Sequence, residues 1–152
     1  MRSWYRILAI ALGLLPVLAG AANADAGTRS PLTPIGGSGG GFVTVAPTSK
    51  DDGALSFDVQ GTVNIHGASP DTAFTVLRRV DVNPNGTCTG ATWLTLPGDP
   101  VLTTSAGGAG ALHFELQRGE PFVDGVSFDV IWRAVGTDGT MLESECFTVT
   151  VK

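Results

Sequence analysis

Lysine is nearly absent from this 152-residue chain: Lys50 and Lys152 are the only two, and Lys and Arg together number 9 against 14 Asp and Glu. A formal net charge of −5 with no basic cluster argues against DNA, RNA and anionic membrane as partners, because grouped Lys and Arg are what hold them. Tyrosine is scarcer still. Tyr5 is the only one and lies in the amino-terminal segment, so a Tyr-rich recognition surface is excluded. Histidine is limited to His66 and His113, cysteine to Cys88 and Cys146. Beyond the amino-terminal segment no stretch repeats apolar residues at helical spacing, and no internal repeat is visible, which leaves out a coiled coil, a propeller or a solenoid.

The amino terminus itself reads as an export signal over residues 1–24. Arg2 and Arg6 give it a positive start, Ile7 to Leu18 is uncharged and apolar, and Ala22-Asn23-Ala24 supplies the small residues a signal peptidase requires. A membrane span needs about 20 apolar residues, more than this run offers, and no second run follows. No cysteine lies near the cleavage point, so no lipid anchor is expected there. Residues 25–41 are Gly, Pro, Ser, Thr and Ala with little to bury, and they read as a flexible leader before a folded domain at 42–152. Within the leader, Gly36-x-Ser38-x-Gly40 matches a nucleophile elbow in letters only, since neither a preceding strand nor a following helix is predicted.

The remainder alternates with period two. Leu55, Phe57, Val59, Val63 and Ile65 share one face with Gly61 as an expected bend, while Ser56, Asp58, Gln60, Thr62, Asn64 and His66 share the other. The same alternation covers Phe42–Val45, Phe74–Val82, Leu112–Gln117, Val126–Arg133 and Phe147–Val151; Arg78 breaks the inward row, which predicts a bulge. Shorter pieces at Ala91–Leu96 and Val101–Thr104 bring the count to about eight. Turn residues separate them at Ser69-Pro70-Asp71, Asn85-Gly86, Pro97-Gly98-Asp99-Pro100, Gly107-Gly108-Ala109-Gly110, Arg118-Gly119-Glu120-Pro121 and Thr137-Asp138-Gly139. Short strands with one wet face predict an all-β, antiparallel β-sandwich of about seven to eight strands. In an exported chain, an even cysteine count predicts one disulfide, Cys88 to Cys146.

The run Gly67-Ala68-Ser69-Pro70-Asp71-Thr72-Ala73-Phe74-Thr75-Val76 resembles the corner that precedes a core strand in fibronectin type III and other immunoglobulin-like domains. The aromatic here is Phe74, which lacks the hydroxyl that a tyrosine corner hydrogen-bonds to the backbone. The resemblance implies an immunoglobulin-like sandwich in the loose sense and carries no activity with it.

Few residues suggest chemistry. Asp81, Asn83 and Asn85 with Gly86 have the opening spacing of a calcium loop, but position 12 is Thr92 where a carboxylate belongs; an Asn-Gly hairpin turn explains the same letters. His66 and His113 serve a metal site only if their strands are neighbours. Asp58, Glu115, Asp124, Asp129, Glu143 and Glu145 read as solvated strand positions. Trp132 follows an inward row, whereas Trp93 is out of phase with Leu94 and Leu96 and reads as an exposed indole for partner binding. No cofactor motif is present. The expectation is a secreted or periplasmic, non-enzymatic domain presenting a surface to a protein or a glycan, or an envelope structural part. The alternatives are a small secreted hydrolase or metal-dependent enzyme, and a pilus-like subunit.

Overall fold

A computed structural model describes residues 27–49, 56–90, 92–119 and 123–152. The expected export signal, Asp25, Ala26, Leu55, Ala91 and the Glu120-Pro121 half of one predicted turn lie outside them. The described residues form ten strands and no helix, so none is long and apolar enough to cross a membrane. In chain order these are β1 (Thr28–Gly36), β2 (Gly40–Ser49), β3 (Ser56–His66), β4 (Ala73–Asp81), β5 (Leu94–Thr95), β6 (Val101–Thr103), β7 (Gly110–Gly119), β8 (Ser127–Gly136), β9 (Met141–Ser144) and β10 (Phe147–Thr150).

Every pairing is antiparallel, and the strands join in one sheet ordered β5-β4-β8-β9-β1-β2-β3-β7, with β10 beside β8 and β6 beside β4. The sheet curls into a half-barrel whose two wings share a core. Val43 and Val45 of β2, Val59, Val63 and Ile65 of β3 and Leu116 of β7 meet Phe74 and Val76 of β4 and Phe128, Val130 and Trp132 of β8. The wings touch where the rings of Phe114 and Trp132 lie 5.0 Å apart. Each such buried side chain contributes about 1.5–3 kcal/mol relative to exposure.

Two strands stand where the sequence predicted none. The first, β1, occupies most of the expected leader and lies between β2 and β9, in the middle of the sheet. Its prolines are tolerated by position: Pro31 lies where β1 is paired only with β2, and Pro34 where it is paired only with β9. The glycine run that reads as a linker is the connection from β1 to β2. Gly37 and Gly39 have φ of 78° and 105°, and a Cβ at either would press on Thr140 or Ala68 within 3.0 Å. Ser38 is exposed at the tip of this connection, between two strands. The second addition is β9, which continues into β10 through an irregularity at Glu145-Cys146. There Ser144 Oγ accepts from the Trp132 amide at 2.9 Å, and the inward row shifts from even to odd, from Leu142 and Ser144 to Val149 and Val151.

The expected irregularities fall elsewhere. At Gly61 the register of β3 with β2 and β7 runs straight through. Its missing side chain makes room for Phe114, whose ring would lie 2.1 Å from a Cβ at that position. At Arg78 no bulge forms either: β4 stays in register with β8 from Phe74 to Asp81, and the arginine is buried in the inward row with Nη1 donating to the Thr95 carbonyl at 2.9 Å.

The expected bridge is present. Cys88 and Cys146 are joined, with Cα atoms 5.6 Å apart, and this ties the long loop after β4 to the β9–β10 junction.

Candidate functional site

The outer face of β2, β3 and β7 holds a continuous polar surface. Because the odd residues of β3 and the even residues of β7 point into the core, their neighbours point out, and the register aligns them in rows. Thr44, Thr62 and His113 form one row across three strands, and Ala46, Gln60 and Glu115 form the next. Between the rows lies an open depression of about 550 Å³, floored by the Gly61 backbone and reached at one end by Gly27. His113 Nδ1 lies 2.8 Å from Thr62 Oγ1, which fixes the imidazole at the rim. The lining therefore offers hydroxyl, amide, imidazole and carboxylate groups with little net charge and a single acid, Glu115.

His66 and His113 do lie on adjacent strands and on the same face. However, His113 stands opposite Thr62 while His66 lies four residues further along β3, a separation of about 13 Å along the strand. Among the described residues no three of His, Cys, Asp and Glu gather closely enough to hold a metal ion.

The Asp81–Gly86 loop spends its oxygens on itself. Asp81 Oδ1 accepts the Asn83 amide at 3.0 Å and its Oδ2 accepts the Thr89 hydroxyl at 3.3 Å, while Asn85 Oδ1 accepts the amide and the hydroxyl of Thr87. The Asn-Gly turn is also not a two-residue hairpin. Gly86 alone of the pair has positive φ, at 77°, and the chain runs on through Cys88 before β5 returns to β4.

What organises this loop is Asp129, a residue that the strand pattern places in solvent. It does point outward from β8, opposite Asp81, but the loop closes over it and leaves it fully buried. The amides of Asn85 and Gly86 donate to its Oδ2 at 2.7 and 2.6 Å, and the Thr148 hydroxyl donates to Oδ1 at 2.6 Å. Burial alone pushes this carboxyl up, yet the bonds from Thr148, Gly86 and Asn85 outweigh it and hold the group below the ordinary carboxylate value of 3.8. Asp138 is held low as well, by hydrogen bonds from Ser69 and from Thr140 at the β8–β9 hairpin.

Trp93 is half-buried rather than free. Arg79 and Arg133, on the outer face of β4 and β8, place their guanidinium carbons 4.6 and 4.1 Å from its ring centroid. Arg133 is paired in turn with Glu143 of β9. The indole is thus engaged within the chain, and this cluster fastens the end of the long loop to the sheet. Trp132 is in the core. No protein-family model, no curated protein and no solved structure matches the chain.

Proposed function

We propose that this is an exported, non-enzymatic binding domain, loosely immunoglobulin-like, acting outside the cytoplasm and taking a neutral, hydroxyl-rich ligand such as a short glycan in the depression on β2, β3 and β7. The observation that carries the reading is the pair of polar rows around a glycine floor. Hydroxyls of a sugar both donate and accept, and the side chains of Thr44, Gln60, Thr62 and His113 offer both kinds of partner on a surface open enough to admit a chain. Binding is favoured over glycoside hydrolysis because that reaction takes two carboxylates and the lining has one. Export is supported by the amino-terminal signal pattern and by the oxidised cysteine pair. A pilus-like role is less well supported: β10, the natural candidate for a donated strand, is already paired with β8 and buries Val149 in its own core.

The test is a titration of the labelled protein with a panel of neutral oligosaccharides, followed by amide chemical shifts. Saturable shifts at Thr44, Gln60, Thr62, His113 and Glu115 are expected, and Gln60→Ala with Thr62→Ala weakens binding by about tenfold. A panel without a binder, or shifts confined to the Trp93 side of the molecule, sinks the reading.

A further inference from the structure

We infer that a second copy of this chain pairs with β7 edge to edge, antiparallel about Phe114, so that the sheet runs on through a dimer. The two ends of the sheet differ in kind. At one, β5 has 2 residues and β6 has 3, with Pro97 and Pro100 between them; short edges and nearby prolines are the usual protection against unwanted pairing. At the other, β7 has 10 residues, no proline and no irregularity, its register with β3 unbroken from Gly110 to Gly119. Among the described residues no strand pairs with its outer side. β6 lies against the Gly110 end of β7, where a Cβ on Gly110 would meet Leu102 and Thr103, and the central residues around Phe114 are the ones the pairing uses.

The identity of the occupant follows from the strand's own side chains. An antiparallel copy centred on Phe114 sets His113 against Glu115 twice on the outer face, and on the inner face sets Leu112 against Leu116 twice with Phe114 against its counterpart. A hydrogen-bonding polar pair and apolar side chains directly across a strand pair are each favourable. Moving the centre to His113 opposes two imidazoles, and moving it to Glu115 opposes two carboxylates. Slipping by a half-step sends the polar row against the apolar one. One register is therefore preferred. Either set of β7 backbone groups that faces away from β3 meets the same set in the partner, so the ladder closes without rearrangement. His113 and Glu115 are both exposed; the His113 ring meets Thr62 through Nδ1, so its pair across the new ladder is made through Nε2. A single strand pair buries less surface than a permanent interface, so the dimer is expected to be weak and reversible.

The experiment is sedimentation equilibrium of the exported, disulfide-bonded protein up to high micromolar concentration, with no ligand added, so that its outcome is separate from the glycan titration. A reversible monomer–dimer equilibrium is expected. His113→Glu, which opposes two carboxylates at each of two positions, weakens it by about tenfold or more, and adding Glu115→Lys to the same chain restores it. Amide exchange across Ala111–Gln117 slows with concentration in the unmodified protein, a readout that needs no substitution and so holds even if a variant folds poorly. A chain that stays monomeric throughout, or a dimer that His113→Glu leaves intact, overturns the inference.

Discussion

Removing the carboxylate of Asp129 tests the account of the long loop most directly. Three donors converge on this buried group, two of them backbone amides of a loop whose described residues between Val82 and Trp93 lie in no strand. A hydrogen bond to a charged group is worth about 1.5–3 kcal/mol, but the three are not additive, and the amides of Asn85 and Gly86 regain water once the loop lifts. Asp129→Ala is therefore expected to cost about 3 kcal/mol, a fall in Tm of about 12 °C at roughly 4 °C per kcal/mol for a domain of this size. Asp129→Asn keeps the shape and one acceptor and should cost about 1–2 kcal/mol. The pH dependence has a definite sign. The folded carboxyl titrates below its unfolded value of 3.8, so its contribution is complete above that value and is lost as the pH falls through the folded one. The stability gap between the native protein and Asp129→Asn should accordingly narrow on acidification from about pH 5, whereas a gap from packing alone would persist. Urea unfolding of the two proteins across that range measures it. A neutral-pH difference below about 0.5 kcal/mol for Asp129→Ala, the range of ordinary surface changes, would refute the reasoning, as would a gap indifferent to acid.

Two further outcomes follow from packing. Gly61→Ala puts a Cβ within 2.1 Å of the Phe114 ring, which Trp132 backs; a cost of about 1–3 kcal/mol is expected in denaturant unfolding, with partial recovery when Phe114→Leu is added. Replacing both Cys88 and Cys146 by Ser opens a loop with a sequence separation of 58 and should lower stability by about 4 kcal/mol, read by comparing its unfolding with that of the oxidised protein.

Much of the framework was legible because alternation is a direct record of which face is dry. The rows Val59, Val63 and Ile65, Phe128, Val130 and Trp132, and Val149 with Val151 lie inward as their spacing requires, and the disulfide joins the two cysteines expected to pair. The first strand was illegible for a physical reason: it buries only Ser30 and Leu32, so no apolar row marks it, and its glycines and prolines serve turn and edge positions that composition alone cannot tell from a linker. Arg78 was misread because an inward arginine suggests a distorted strand, when a carbonyl from the neighbouring strand suffices to receive it. Asp129 and Trp93 were misread together. Phase along a strand tells which way a side chain points, but not whether a distant loop or a pair of arginines from other strands will cover it. Gln60 and Thr62 on one strand and His113 and Glu115 on another were visible as polar-phase residues; their alignment into one surface depends on register, which the sequence does not state.

The position of β1 has a consequence for how the protein is made. Thr33 donates to the Glu143 carbonyl across 110 residues of chain, and the strand ladder of β2, β3 and β7 continues into the other wing through the β1–β9 seam. A ribosome delivers β1 first and β9 next to last of the ten strands, so the half-barrel cannot close until synthesis is almost finished, and the loop-closure entropy of that long span delays it further. Such a chain stays open until its end has been made, and a truncation that spares eight strands but removes the last two leaves the first strand without its seam.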